Sequence, residues 1–263
     1  MINMRFYINY DKNKELAVKT KDELLHICKE LHVDTTSNPI DADIICSIGG
    51  DGTFLASTKI AEGRPVIGIN CGTVGYLTDV NPEDMHKAVQ DLLENKYFIE
   101  ERMMLEGQII TDNGEVINIP PALNEISVTK NILGILRFDT IIDEKLINTY
   151  SADGIILCTP TGSTAYNLSC GGPIVDPNAE IIILTPIAPH TVLNRSIVLS
   201  DKSVIEIKIT EIRNNKNLYV LYDGKPIEIS IGDTIRIYKS QNVSKIIKLE
   251  WQSFIENIRN NIN

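Results

Sequence analysis

The sequence predicts two domains of different class, an α/β domain with a Rossmann-like parallel sheet over residues 1–98 and an all-β, sandwich-like domain over residues 99–245. Two textures carry that prediction. Up to about Phe98, short apolar runs alternate with stretches of helical periodicity; from about Ile99 onward, one alternating strand follows another. A third observation concerns the end of the chain. Trp251, Phe254, Ile255 and Ile258 recur at i, i+3, i+4, i+7, which predicts a C-terminal amphipathic helix over 246–263 docking back on the first domain.

Element by element, "MRFYINY" reads as the first strand, and Leu24, Ile27, Cys28 and Leu31 fall on one face of the helix that follows. "DIICSI" and "PVIGIN" are short continuous apolar runs, the pattern of strands buried on both faces. A helix is expected from near Thr53, and another over Pro82–Leu93 with acidic residues in its first turn. Strand, helix, strand, helix implies parallel strands with helices on the faces. In the second half, "GQIITDNGEVINI" holds an Asn113-Gly114 turn between apolar segments, and "NLYVLYDGKPIEISI" turns at Asp223-Gly224; both predict hairpins. "SVIEIKIT" alternates Ile205, Ile207 and Ile209 with Glu206, Lys208 and Thr210, a half-buried strand.

Composition narrows the function. With 43% hydrophobic and 23% charged residues, the 263-residue chain has an ordinary globular balance and ample core. A net charge of −10 and a pI near 4.9 argue against a nucleic-acid partner, which needs a basic stripe. No apolar run approaches the ~18 residues of a membrane span and no signal-peptide pattern opens the chain, so a cytoplasmic location is expected. Cys28, Cys46, Cys71, Cys158 and Cys170 are scattered, without C-x-x-C spacing, and read as reduced thiols rather than disulfides or zinc ligands.

The first chemical constellation is "CSIGGDGTFLAS", Cys46–Ser57. Glycines after a buried strand let a ligand approach the backbone, and the helix behind them presents free N–H groups and a positive dipole end. Neither the Walker A pattern nor G-x-G-x-x-G is present, so the turn signals neither a P-loop nor a hydride-transfer site. What remains is a phosphate cradle containing one acid, Asp51. A carboxylate is too weak a base to take a sugar-hydroxyl proton in the ground state, but takes it late, as the phosphoryl group bonds to the oxygen. The other reading of Asp51 is a cap of the following helix. The second constellation is "DGIILCTPTGSTAYNLSCGGPIV", Asp153–Val175. There a strand, Ile155–Cys158, runs into a loop of Thr161, Gly162, Ser163 and Thr164 followed by Ala165 and Tyr166. Such hydroxyls and amides suit phosphate or ribose, and Tyr166 offers stacking or a hydrogen bond; the alternative is a polar loop at a sheet edge. Upstream, "ALNEISV" sets Asn124 and Glu125 inside an apolar strand, where an amide and an acid need partners, either a ligand or a buried network.

These motifs carry a resemblance. "GGDGT" at Gly49–Thr53 resembles the signature shared by NAD kinases, diacylglycerol and sphingosine kinases and, more distantly, phosphofructokinases. The Asp153–Val175 segment resembles the glycine-rich signature specific to NAD kinases, and Asn124-Glu125 resembles that family's N-E/D motif. Order agrees across Ile44–Pro226: GGDG, NE, DG…TPTGSTAY, Ala188 in "PIAPHTVLNR", then Asp223 in "YDGKP". The resemblance implies an enzyme that phosphorylates the 2′-hydroxyl of the adenosine ribose of NAD to give NADP, with ATP or polyphosphate as donor. A divalent cation, Mg²⁺ for preference, is implied through the substrate phosphates, with no metal ligands from the protein. It implies Asp51 as proton acceptor, Gly49, Gly50 and Gly52 shaping the turn at the phosphates, and Asn124 and Glu125 on a ribose. Ser151 and Asp153 would lie near the nicotinamide; Thr161, Ser163, Thr164, Ala165, Tyr166, Asn167 and Ser169 would wrap the dinucleotide; Ala188 would line the pocket. Tyr76 stands where relatives carry an aromatic against the adenine, although Val74-Gly75-Tyr76 replaces the usual Leu-Gly-Phe. Asp223 and Lys225 fall in the last motif, Lys225 where several relatives carry Gln: it either favours the added phosphate or is a solvated turn residue. Family members are commonly dimers or tetramers. A lipid or other alcohol kinase is the second reading, disfavoured by "TPTGSTAY" and by the lack of a basic amphipathic segment. A non-catalytic NAD(P)-binding sensor is the third; it would require loss of Asp51.

Overall fold

The computed structural model describes residues 4–72, 75–78, 80–131, 134–190, 192–212, 218–249 and 259. The expected C-terminal stripe of Trp251, Phe254, Ile255 and Ile258 lies outside the described residues, as does Val74. The chain forms two compact units, Met1–Arg102 with Ser244–Asn263, and Met103–Val243.

The first unit contains β1 (Arg5–Tyr10), α1 (Glu15–Glu30), β2 (Asp34–Thr36), β3 (Ile44–Gly49), α2 (Asp51–Ala61), β4 (Val66–Asn70) and α3 (Met85–Leu93). Its strands lie in the order β2-β1-β3-β4, all parallel, and Ile246 from the chain's end pairs in parallel with Val66. β3 is buried at every position, which is why it reads as an unbroken apolar run. α1 buries Ala17, Thr20, Leu24, Ile27 and Cys28, and α3 buries Met85, Ala88, Val89 and Leu92, each a stripe at helical spacing that joins the sheet in one core. Full burial of each such Leu or Ile contributes roughly 1.5–3 kcal/mol. Three details differ from the sequence expectation. Leu31 is the C-cap of α1 rather than part of it. Pro82–Asp84 makes a separate 3₁₀ turn before α3. And α2 begins at Asp51, two residues before Thr53, because Gly50 takes the extended N-cap conformation directly after the strand.

The second unit follows through β5 (Phe98–Ile110), β6 (Val116–Ala122), β7 (Glu125–Lys130), β8 (Leu136–Ile142), β9 (Lys145–Ala152) and β10 (Gly154–Cys158). A 3₁₀ turn (Thr161–Thr164) and the helical turn α4 (Tyr166–Ser169) come next, then β11 (Ile181–Ile187), β12 (Ile197–Ser200), β13 (Ile205–Ile212), β14 (Leu218–Tyr222), β15 (Lys225–Ile229) and β16 (Thr234–Lys248). One antiparallel sheet runs β12-β11-β10-β7-β14-β15; in the other, β16, β13, β8 and β9 neighbour in turn, and β5 pairs with β16 and β6. Ile126, Val128, Ile155, Leu157, Ile182 and Leu184 from the first sheet share one core with Phe138, Tyr150, Ile205, Ile207, Ile235 and Ile237 from the second, which makes a sandwich. β10 is buried on its other face too, where Ile156, Cys158 and Ile183 are covered by Cys170 and Val175. The loop after β10 is thereby packed onto the sheet instead of hanging from its edge.

The change of unit falls within β5, after Arg102, and within β16, after Val243, against expected changes at 98/99 and 245/246. Both predicted hairpins form, and at the second Asp223 (φ 44°) and Gly224 (φ 76°) are left-handed, the type I′ geometry that Asp-Gly favours. Asn124, expected inside a strand, lies instead in the link between β6 and β7, and only Glu125 enters the ladder. Its N–H and that of Leu123 are taken by a side chain from the second hairpin, described next.

Candidate active site

In the first unit, β3 delivers Gly49, Gly50, Asp51 and Gly52 at its carboxyl end. Asp51 is the first residue of α2, and no side chain caps that helix. Its carboxylate instead accepts the backbone N–H groups of Tyr76 (3.1 Å) and Leu77 (3.2 Å) from the segment after β4. Gly75 makes that approach feasible, since a Cβ there would stand 2.4 Å from Asp51 Oδ1. A Cβ on Gly49 would meet Thr53 Oγ1 at 2.3 Å, so the first glycine lets α2 turn tightly against its strand. Gly52 is open on the surface side. Tyr76 is half-buried, and its phenol is pushed above the ordinary tyrosine value by burial and then by the Asp51 charge, so it stays a proton donor at neutral pH. Asp51, Tyr76 and the three glycines therefore form one cluster around a helix N-terminus whose Thr53 and Phe54 N–H groups go to the Gly50 carbonyl, while those of Asp51 and Gly52 meet no acceptor among the described residues.

In the second unit the order of the motifs becomes a network. Asp223, in the β14–β15 turn, accepts from Asn124 N–H (2.8 Å) and Leu123 N–H (3.0 Å), pinning the start of β7. From the other side, Thr159 donates its N–H to the Asn124 carbonyl (2.9 Å) and its hydroxyl to the Leu123 carbonyl (2.6 Å). Gly162 then passes so close that a Cβ would lie 2.1 Å from the Asn124 carbonyl oxygen. Two loop residues turn inward. Asn167 is wholly buried, donating to the Ser163 and Pro173 carbonyls and accepting from Thr185, and Ser163 is bound to both the N–H and the carbonyl of Val175. Tyr166 and Ser169 remain exposed, with Thr164 and Ala165 half-buried and Thr161 nearly buried. Burial, then Cys170, then the charges of Glu125 and Asp153 push the Tyr166 phenol up, which keeps it a donor. At the far end of β7, Lys130 Nζ meets Asp153 Oδ1 at 2.5 Å; the lysine side chain is 7% exposed and the aspartate 52%. Ser151 accepts at its carbonyl from His190 N–H (2.7 Å), and Ala188 is exposed with φ 44°, a left-handed conformation that alanine seldom takes. Lys225 is exposed at the first position of β15, just past the Asp223-Gly224 turn.

The two units match two family models. Residues 7–97 match the ATP-NAD kinase N-terminal domain, and residues 123–249 match the ATP-NAD kinase C-terminal domain. The chain belongs to the ATP-NAD kinase family. It is 38% identical over 225 residues to an NAD kinase of Caldanaerobacter subterraneus subsp. tengcongensis, an alignment that covers 84% of this chain and 78% of that one. It is 34% identical over 251 residues to an NAD kinase of Acetivibrio thermocellus, covering 94% and 84%. An Archaeoglobus fulgidus NAD kinase solved in complex with ATP superposes with a TM-score of 0.79 at 29% identity, covering 98% of this chain and 97% of that one. A yeast NADH kinase solved with NADH shares the fold, with a TM-score of 0.90 at 24% identity over 98% of this chain and 87% of that one.

The kinase thus makes NADP from NAD, and its family donor is ATP. Sequence reasoning found the loops but missed residues that hold them. Lys130 ends β7 with an ammonium buried against Asp153; a lysine closing the apolar run "ISVTK" was the available signal. Gly75 passes close to the Asp51 carboxylate, Gly162 passes close to the Asn124 backbone and Thr159 locks the NE link, yet none of the three can be told from ordinary turn residues without their tertiary neighbours. Asp223, Asn167 and Ser163, read as ligand-binding, use the polar atoms described above to shape the loops. The described residues contain no group of three or more His, Cys, Asp or Glu able to hold a metal, and no helix long and apolar enough to cross a membrane.

Proposed function

We propose that Asp51 accepts the proton of the adenosine ribose 2′-hydroxyl of NAD as that oxygen attacks the γ-phosphorus of ATP. The observation that supports it is the fixed carboxylate: two backbone N–H groups, from Tyr76 and Leu77, hold Asp51 beside a glycine-lined helix N-terminus that it does not cap. Each carboxylate oxygen accepts one of those bonds and keeps lone-pair capacity for a hydroxyl. The free N–H groups of α2 receive the phosphates, so anion and base occupy adjacent places without sharing one. The O–H bond breaks late, as the new P–O bond forms and ADP leaves.

Asn124 and Glu125 hold a ribose, Ser151 and Asp153 lie toward the nicotinamide, and Tyr76 stacks on the adenine. Thr161, Thr164, Ala165, Tyr166 and Ser169 contact the dinucleotide, with Ala188 in the lining and Lys225 near the added phosphate. Asp223, Ser163 and Asn167 act through the shape they give that surface. A divalent cation would neutralise phosphate charge, and Mg²⁺, which is usually held through substrate phosphates and water, suits that part. ATP is the donor of first choice and inorganic polyphosphate the alternative. The enzyme is a cytoplasmic homodimer or homotetramer.

The test is Asp51→Asn, assayed for NADP from NAD, ATP and Mg²⁺. Turnover falls about 10²-fold or more while folding and NAD affinity are nearly kept. A variant that loses stability but turns over normally per folded molecule would show that Asp51 only anchors the Tyr76 segment.

A further inference from the structure

In the first unit, the strand order β2-β1-β3-β4 departs from β1 in both directions, with β2 on one side and β3 on the other. The crevice outside the carboxyl ends of parallel strands at such a reversal is where open α/β sheets bind ligands. Three connections reach it: Asp11–Lys14 after β1, Gly50-Asp51 after β3, and Cys71–Gly72 after β4. Asp11 N–H donates to the Ile48 carbonyl (3.0 Å) and Cys71 N–H to the Gly49 carbonyl (2.9 Å), which tie the first and third to the glycine turn.

Lys14 reaches across all three. A Cβ on Gly72 would stand 3.3 Å from Lys14 Nζ, and one on Gly50 would stand 4.0 Å from it. Both are glycines, so the ammonium lies over bare backbone. Lys14 is exposed and, among the described residues, makes no ion pair and no side-chain hydrogen bond. Its position is electrostatically adverse. Lys14 is the N-cap of α1, where a side-chain acceptor is favoured, and it offers none. Its ammonium also faces the N-terminus of α2, so one cation stands against two helix ends that are themselves positive. The neighbouring acid does not explain it, because Asp51 turns its carboxylate to Tyr76 and Leu77 and is not within ion-pair distance of Lys14. A cation and a positive helix end directed at one crevice suit a multiply charged anion.

We propose that Lys14 binds the terminal phosphates of the phosphoryl donor, facing them from the β1 loop while the α2 N–H groups face them from the glycine turn. The proposal rests on the reading of this chain as a kinase that uses ATP with Asp51 at the acceptor hydroxyl. As the bond from the γ-phosphorus to the bridging oxygen breaks and the bond to the 2′-oxygen forms, negative charge moves onto the leaving diphosphate, and a flexible ammonium can follow it.

The experiment compares Lys14→Met, Lys14→Arg and Lys14→Ser with the wild type, varying ATP at saturating NAD and then NAD at saturating ATP. A second readout, independent of turnover, is displacement of ATP by inorganic tripolyphosphate. Lys14→Met lowers kcat/KM for ATP at least about 10-fold and weakens tripolyphosphate binding similarly, the loss expected of one charge-assisted contact. KM for NAD changes less than about 2-fold on the same scale, and Lys14→Arg recovers part of the loss. Lys14→Ser, a better N-cap, melts no lower than the wild type yet shows the same ATP defect. An unchanged kcat/KM for ATP in Lys14→Met overturns the proposal, as does an equal loss toward ATP and NAD accompanied by a lower melting temperature. If the wild type forms no NADP, the kinase reading falls by itself. Direct tripolyphosphate binding then decides Lys14: weakened in Lys14→Met it supports the anion site, and unchanged it removes it.

Discussion

Asp223→Asn separates an anchor from a ligand. Asp223 accepts from Asn124 N–H at 2.8 Å and Leu123 N–H at 3.0 Å, and Leu123 is fully buried while Asn124 is 9% exposed. Asparagine tolerates the left-handed φ of 44° at this turn, so the backbone is not the perturbation. Its amide can keep one oxygen toward one N–H but turns an NH₂ donor toward the other. One buried N–H is then left without an acceptor, at a cost of about 1–3 kcal/mol. For a chain of this size, 1 kcal/mol moves the melting temperature by roughly 2–4 °C, so about 2 kcal/mol lowers it by roughly 4–8 °C. Asp223→Gly, equally at ease with positive φ, removes both acceptors and falls further. Differential scanning fluorimetry gives the melting temperatures, and NAD titration gives the functional half: KM for NAD rises because Asn124-Glu125 loses its register. A variant that melts like the wild type but no longer binds NAD would refute this reasoning and make Asp223 a direct ligand.

Two glycines divide in the opposite sense. Gly75→Ala sets a Cβ 2.4 Å from the Asp51 carboxylate oxygen and 3.0 Å from Thr78 Oγ1; both are side-chain atoms, so the fold yields cheaply and the carboxylate moves. Turnover is expected to fall about 10²-fold with little change in melting temperature, the scale of losing a positioned base; wild-type kcat would show that Asp51 need not be held. Gly162→Ala meets backbone instead, at 2.1 Å from the Asn124 carbonyl oxygen and 2.7 Å from its Cα, and overpacking of that kind costs about 1–3 kcal/mol or more. Melting temperature and NAD affinity both drop; a variant unchanged in both shows that this crossing tolerates a methyl group.

The GGDGT turn was legible, though its helix starts two residues before the expected Thr53, because its signal is local: a buried strand, three glycines and one acid within Ile44–Thr53. The hairpins at Asn113-Gly114 and Asp223-Gly224 were legible for the same reason, since the turn residues carry their own φ preference. The placement of Asn124 was not. Its apolar neighbours read as strand, but an acceptor about a hundred residues away draws its N–H out of the ladder. Lys130 was legible only as a cation closing the apolar run "ISVTK"; that Asp153 comes to meet it is not written in the neighbouring residues.

By itself, then, the sequence determined the two fold classes, the family and the places of its motifs, all of which rest on periodicity, turn preference and short motifs. Only the tertiary structure decided which protein groups the polar atoms there meet. Asp51 reads as a possible cap until the N–H groups of Tyr76 and Leu77 are found on it, and the partners of Asn167, the Ser163 and Pro173 carbonyls and the Thr185 hydroxyl, appear only in the fold. The reason is physical: periodicity is set by neighbours in the chain, whereas a buried hydrogen bond is set by whichever group the fold brings within about 3 Å.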